Sequence, residues 1–294
     1  MSDDQRHGLT LIAFVGSVFS PYYAWARRRG QANPEDHCAL NVALYSPGAG
    51  RWCMTERGQR HCSRSAREFV IGPSRLHWDG QCLQIDIDER SAPLPRRVRG
   101  RIRLWPGQLQ RYSTPIEPTG RHRWGPIAPH ARIEVDLGEP GLRWQGHAYL
   151  DSNEGDEPVE QGFDRWDWSR AQLPDGSTVV HYDLQWPGQS PAQPHPREHQ
   201  LSLRFDAQGA VEPLPTPAPQ DLPRTGWLMA RRMRSAQPVR VLRQLEDTPF
   251  YQRALLELPV GGRTVQAFHE TLSVPRLVRP VVQAMLPFRM PRRG

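Results

Sequence analysis

Proline and glycine recur so often along this chain that a long regular helix has almost nowhere to form. Of its 294 residues, 30 are proline and 24 are glycine. Proline fixes φ and lacks a backbone donor, so it breaks helix interiors and is tolerated at turns and strand edges. Between the breaks, the patterns are those of short strands. Cys38–Tyr45 (CALNVALY) alternates and stops at Ser46-Pro47-Gly48. Residues 76–78 and 82–88 flank Asp79-Gly80, a strong hairpin signal. Residues 98–105 (VRGRIRLW) alternate arginine with apolar side chains, which predicts one core face and one basic face. Residues 131–137 and 142–149 predict a hairpin around Glu139-Pro140-Gly141. Further strands are expected at Thr178–Trp186, 200–205, 227–233 and 239–245, with a hairpin about Gly261-Gly262. The proline-rich stretches 187–196 and 213–223 read as loops, because strand patterns resume after each. Thr248-Pro249 reads as an N-cap followed by proline at the first helical position, so a helical turn is expected there. Strands at this spacing predict an all-β chain of barrel or sandwich type, with two strand-rich halves joined near 155–160.

Charge and hydropathy narrow the partners. Hydrophobic residues make up 37% and the net charge is +7, carried by arginine alone since the chain has no lysine. A basic surface suits nucleic acid or an anionic membrane. No zinc-finger spacing, helix-turn-helix pattern or arginine tail accompanies the charge, so nucleic acid is not expected and the membrane surface is the better partner. The most apolar run, residues 9–19 (LTLIAFVGSVF), is too short to span a bilayer, which needs about 20 apolar residues. Ala24-Trp25-Ala26 mimics a signal cleavage site, but Asp3 and Asp4 stand where a positive region belongs. A buried strand is expected instead, ended by Ser20-Pro21 and followed by a solvated basic loop at Arg27, Arg28 and Arg29. Cys38, Cys53, Cys62 and Cys82 fit no zinc template and read as buried free thiols, so no metal is expected. Residues 274–294 mix apolar side chains with arginine. They read as a basic amphipathic tail for a membrane surface or, given Pro280, Pro287 and Pro291, as a segment packed on the barrel.

Two short runs near the middle carry the chemistry: Arg121-His122-Arg123-Trp124-Gly125-Pro126 and Tyr149-Leu150-Asp151-Ser152-Asn153-Glu154-Gly155. In a strand, residues i and i+2 share a face, so His122 points with Trp124 and Tyr149 with Asp151. If both strands face one cavity, an acid, an imidazole and two aromatic rings converge. Such a set can protonate an apolar substrate and shelter the resulting cation. Spacing alone favours a plainer reading, in which Asp151 opens a polar turn and the rings are core.

The strings HGLTLIAFVGSVFSPYYAWARRRG, RWCMTERG, GRHRWGPIAP, YLDSNEG, WDWSRA, LEDTPFYQR and LPFRMPR together resemble the carotenoid 1,2-hydratases, or hydroxyneurosporene synthases, of carotenoid-producing bacteria. The resemblance runs from about residue 7 onward. It implies a pair of lipocalin-like antiparallel β-barrels, a fold shared with tocopherol cyclases: an N-terminal barrel over 1–157 that carries the site, and a C-terminal barrel over 158–294. Members of the family carry an aromatic-rich segment before the match, where residues 1–6 stand here. If that segment is a barrel strand, the first barrel lacks an N-terminal strand and is open, or otherwise covered, beside residues 9–19. The implied reaction is cofactor-free addition of water across the terminal C1=C2 bond of an acyclic carotenoid. The implied site positions are His122, Trp124, Tyr149 and Asp151. The implied location is the cytoplasmic side of a bacterial inner, photosynthetic membrane, held peripherally.

The chemistry agrees with these residues. A trisubstituted alkene is a poor base and needs a strong acid shielded from water. Asp151 is the expected acid, kept neutral by an apolar pocket that raises its pKa above ~3.9. His122 either orients Asp151 or positions and deprotonates the attacking water. Trp124 and Tyr149 offer ring faces to the tertiary cation, worth ~2 kcal/mol or more when desolvated. Two other classes compete: a non-catalytic isoprenoid or lipid carrier, and a cyclase in which a substrate hydroxyl captures the cation.

Overall fold

The computed structural model describes residues 1–186, 197–260 and 263–293. Strands dominate and pair antiparallel, as expected, save where Arg292–Arg293 runs parallel to Arg51–Arg57. Contacts divide the chain into two compact units. One comprises Met1–Gly107, Ala131–Ala148 and Pro280–Gly294; the other comprises Gln108–His130 and Tyr149–Arg279. This division does not follow a single boundary near 157. The reason is the central hairpin, His122–Glu139 and Leu142–Gly155, whose strands of 18 and 14 residues contribute to both units. The two runs singled out in the sequence are the two far ends of this one hairpin.

In the first unit, Cys38–Tyr45 lies between Gly8–Phe14 and Arg51–Arg57 in a four-stranded sheet. It does not alternate in burial: Cys38, Ala39, Leu40, Val42 and Ala43 are all fully buried, so both of its faces are covered. Gly8–Phe14 ends that sheet and is half-buried; Ser2 bridges separately to Gly146. The hairpin at Asp79-Gly80 forms as expected, with Asp79 Oδ1 accepting from the amides of Gln81 and Cys82. The expected basic face of Arg97–Pro106 is not bare. Arg97 pairs with Asp88 at 2.7 Å and Arg101 with Asp86 at 2.6 Å, because the neighbouring strand Leu83–Arg90 supplies acids in register.

The loop expected after Ser20-Pro21 is a helix, Pro21–Arg28. Ser20 caps it, its hydroxyl accepting from the Tyr23 amide at 2.9 Å, and proline stands at the first helical turn. Thr248-Pro249 carries the same signal and makes no helix. The Thr248 hydroxyl accepts from the Tyr251 amide and donates to the Tyr251 carbonyl, closing a turn between the strands Arg240–Asp247 and Tyr251–Val260. A hydroxyl residue before proline thus caps a helix in one case and closes a hairpin in the other. The C-terminal segment forms a helix, Pro280–Arg289, which buries Val282 and Leu286. No helix among the described residues is long and apolar enough to cross a membrane.

The second unit holds a seven-stranded antiparallel sheet. Along the sheet runs Val211–Pro213, Arg197–Phe205, Thr178–Trp186, Arg165–Gln172, Arg263–Ser273, Tyr251–Val260 and Arg240–Asp247. Its register sorts residue types by face. Trp168 pairs with Tyr182 and Glu270, and Arg170 with Val180 and Phe268. One residue out of phase, Asp167 pairs with Asp183 and Thr271, and Ser169 with His181 and His269. One face is therefore mainly aromatic and aliphatic, with Arg170 and Glu270 set among the rings, and the other polar. The polar face is neutralised by the strand Arg231–Arg234: Arg232 and Arg234 both reach Asp183 at 3.1 Å, and Arg231 reaches Gln252 at 2.9 Å. That strand is shorter than the expected 227–233, leaving Trp227 and Leu228 exposed, and it pairs with Pro219–Leu222 at the end of a stretch expected to be loop. The expected loop at 187–196 and the Gly261-Gly262 turn lie outside the described residues.

In the first unit, a buried ion pair joins its two sheets. Arg57 Nη2 lies 3.2 Å from Glu89 Oε2, and the Ser74 hydroxyl donates to Glu89 Oε1 at 3.0 Å. Burial pushes the Glu89 carboxyl above its ordinary pKa, even against the pull of Arg57. Replacing Arg57 with methionine keeps the bulk and strands Glu89. We expect a loss of about 3–5 kcal/mol in urea unfolding, part of it restored by adding Glu89→Gln. An unchanged midpoint in Arg57→Met would remove this pair as a structural tie.

Candidate active site

Three of the four expected site residues meet at one oxygen atom. The Trp124 indole Nε1 donates to Asp151 Oδ2 at 2.8 Å, and the Tyr149 hydroxyl donates to the same oxygen at 3.0 Å. Both pairs lie at the far end of the central hairpin, and all of these residues belong to the second unit. The period of two places Tyr149 and Asp151 on one face, and the opposite strand brings Trp124 between them. Trp124 is fully buried.

The seven-stranded sheet closes around this cluster with its apolar face. The Trp124 ring sits edge-on to Tyr182 at 5.8 Å and to Phe205 at 6.1 Å between centroids. Tyr149 lies 5.6 Å from Trp168, and Arg170 lies 4.9 Å over the rings of both Tyr149 and Phe268. The Tyr182 hydroxyl donates to Asn153 Oδ1 at 3.1 Å. None of Trp168, Arg170, Tyr182, Phe205 or Phe268 was singled out as a site residue in the sequence. A signal existed for two of them: in the string WDWSRA, Trp168 and Arg170 share a face at spacing two. The others come from strands distant in sequence, where nothing marks them as neighbours of Asp151.

This surrounding sets the electrostatics. Asp151 keeps some contact with solvent, yet the dense protein shell around its carboxyl pushes its pKa up to about 6. The hydrogen bonds from Trp124 and Tyr149 pull the other way, as does the Arg170 charge, while Glu270 adds to the rise. Desolvation wins. Burial also raises the hydroxyls of Tyr149 and Tyr182 well above the ordinary phenol value and lowers Arg170. Tyr149 is therefore a hydrogen-bond donor throughout the accessible pH range.

His122 is buried, as its neighbour Trp124 is, but it finds other partners. Its ring lies edge-on to Phe163 at 5.3 Å, and Nε2 lies 3.6 Å from Glu157 Oε1. Its backbone amide donates to Glu117 Oε1 at 3.1 Å. Room for the imidazole is made by glycine: a Cβ on Gly162 would stand 2.4 Å from Nε2, and one on Gly155 2.9 Å from Nδ1. Burial lowers the His122 pKa against the pull of Glu157, Glu117 and Asp156, so the ring is neutral around pH 7.

Residues 11–294 match the model of the carotenoid hydratase CrtC family. The chain belongs to that family. It is 53% identical to the acyclic carotenoid 1,2-hydratase of Rubrivivax gelatinosus, over 100% of this chain and 72% of that protein. It is 52% identical to the acyclic carotenoid 1,2-hydratase of Thiocapsa roseopersicina, over 100% of this chain and 71% of that protein. Its fold resembles that of kievitone hydratase from Nectria haematococca, with a TM-score of 0.55 at 10% identity over 93% of this chain and 86% of that one. The recognition of a carotenoid hydratase and of its β-rich fold is thus borne out.

A polar hollow of about 300 Å³, lined by Asp175, Ser177, Arg204, Asp206 and Glu212 among others, also occurs in the second unit of this CrtC family member. Its charged walls suit no hydrocarbon, so the aromatic cluster at Asp151 is the candidate site. The balance there is open to measurement. Trp124→Phe removes one of the two donors that stabilise the carboxylate, so the Asp151 pKa should move upward from about 6. Carbon-13 NMR titration of labelled aspartate reads this directly. A pKa that stays or falls would mean that the indole does not govern the acid.

Proposed function

We propose that this chain adds water across the terminal C1=C2 bond of acyclic carotenoids of the lycopene and neurosporene type, with Asp151 as the acid. The observation that carries this reading is a carboxyl with a pKa of about 6, set among aromatic rings, with one oxygen already accepting two hydrogen bonds. Because Oδ2 is occupied by Trp124 and Tyr149, the acidic proton resides on Oδ1. The two donors also stabilise the carboxylate that remains once that proton has left, which lowers the barrier to giving it up.

Asp151 transfers its proton to C2, and the π pair becomes the new C2–H bond. C1 is left as a tertiary cation, which the faces of Trp124, Tyr149 and Trp168 shelter. Water adds to C1 and loses a proton, giving the tertiary alcohol and returning the acid to its starting state. Hydrogen and oxygen balance as one water, with no change in oxidation state overall. The proton that the water loses goes to the Asp151 carboxylate, and we assign neutral His122 the positioning of that water. Arg170, a half-buried cation, opposes a second positive charge nearby, and its stacking on Tyr149 and Phe268 fixes the rings rather than the cation.

The substrate is a hydrocarbon that dissolves in lipid, so we further propose peripheral contact with an anionic membrane on its cytoplasmic side. The net charge of +7 supports this.

The pH dependence follows from the acid. Hydration needs protonated Asp151, so the rate should be highest below about pH 6 and fall about tenfold per unit above it. Asp151→Asn should abolish hydration of lycopene, scored by mass for addition of one water, with circular dichroism unchanged. Turnover by that variant near the wild-type rate would remove Asp151 from the mechanism.

The same group links pH to stability. Its folded pKa of about 6 exceeds the ordinary value of 3.8, so folding favours the protonated form. Below pH 3.8 both states are protonated and there is no penalty. Above that, the unfolded chain ionises first and the folded state loses stability until about pH 6, to a total of about 2–3 kcal/mol. Asp151→Asn should therefore be more stable than wild type at pH 8 and equal to it near pH 3.5. Equal stability at both pH values would show that the carboxyl is not held in a desolvated site.

A further inference from the structure

We infer that the helices Pro21–Arg28 and Pro280–Arg289 form the surface by which the protein sits on an anionic lipid bilayer. The inference rests on the reading of the substrate as a membrane-dissolved carotenoid, and it names the contact.

The helix Pro280–Arg289 is apolar on two sides. One side buries Val282 and Leu286, as a packed helix must. The other carries Val281, Ala284, Met285 and Phe288 at helical spacing, facing out, with Val281 64% and Phe288 78% exposed. Single exposed apolar residues are ordinary, but a run of them along one helix face is a sign of a partner. The helix Pro21–Arg28 packs beside it in the same unit and adds an exposed Trp25, edge-on to Tyr22 at 5.7 Å. Aromatic rings of this kind favour the lipid headgroup boundary.

Charge selects the partner. Neither helix contains an acidic residue, and exposed Arg28, Arg29 and Arg289 border the apolar stripe. Apolar side chains with an arginine rim match acyl chains beneath anionic headgroups. A second copy of this chain fits less well. A two-fold contact would set the arginines of one copy against those of the other with no carboxylate on either helix to pair them. The helix is also held at its far end. Arg292 ion-pairs with buried Glu56, which also contacts His37 Nδ1 at 2.8 Å, and Arg292–Arg293 pair with the strand Arg51–Arg57. A rigid, anchored helix can carry its exposed face into the headgroup layer as a unit.

The test compares wild type with Val281→Ser/Met285→Ser/Phe288→Ser and with Arg28→Gln/Arg29→Gln/Arg289→Gln. All six positions are exposed, and thermal unfolding checks that both variants fold like wild type. Sedimentation with vesicles of phosphatidylcholine, with and without phosphatidylglycerol, should show wild type binding the anionic vesicles. Each variant should lower that partition by at least about tenfold. Hydration of lycopene embedded in vesicles should fall with it, while hydration of detergent-dispersed lycopene stays at the wild-type rate. Loss of activity by all proteins on both substrates would overturn the hydratase reading and leave the vesicle result standing by itself. Wild-type partition by either variant would overturn the proposed surface. A wild-type dimer that becomes monomeric in the serine variant, on size exclusion without lipid, would assign the stripe to a second copy instead.

Discussion

The alternation of side chains across the seven-stranded sheet is the constraint on which the second unit depends. A strand must show successive residues to opposite faces, and this sheet uses the rule to separate incompatible chemistries. Trp168 and Asp167 are neighbours in the chain, yet one lines the aromatic cluster and the other joins the arginines of Arg231–Arg234. A one-residue slip would exchange the two faces completely. The buried charges on the polar face therefore help to specify register, since only one alignment gives Asp183 its two guanidinium partners.

Asp151, on the hairpin strand Leu142–Gly155, meets the aromatic face of that sheet. Its burial costs stability at neutral pH, and the same cost keeps it protonated where an exposed aspartate is not. A carboxyl in water is ionised at pH 7 and cannot protonate an alkene. Enclosed by rings and held by two donors at one oxygen, it keeps a protonated population and offers its proton from the other oxygen. Removing the donors would raise the pKa further but leave the conjugate base without support. The geometry thus balances two demands, keeping the proton until substrate is present and stabilising the carboxylate after it leaves.

The first unit bears a different load. Its ion pairs include a buried tie, Arg57 with Glu89, and cross-strand pairs that offset an arginine-rich strand. Its helices Pro21–Arg28 and Pro280–Arg289 differ from those strands, for they carry arginine and no acidic residue, beside the exposed apolar stripe. An excess of basic residues spread evenly would say little about function. Gathered beside Phe288 and Val281, it has a direction.

The sequence by itself determined the class of fold and the local pairs. Frequent proline and glycine exclude long helices, and period-two patterns mark the strands at Arg97–Pro106 and Thr178–Trp186. Spacing also put Tyr149 beside Asp151, because two residues on one strand share a face whatever surrounds them. It did not reveal that Cys38–Tyr45 would be covered on both faces, nor that Ser20-Pro21 would start a helix while Thr248-Pro249 closed a hairpin. Those outcomes depend on what packs against the segment, which local pattern does not encode. Tertiary structure alone decided the company kept by Asp151. Tyr182 and Phe205 come from two strands far along the chain, and they meet the hairpin end only when the sheet register is set. It also separated the partners of His122 from those of Trp124, although both side chains are buried on one strand. Proximity through space follows from the pairing of distant strands, whereas the raised pKa of Asp151 follows from the desolvation that this pairing imposes.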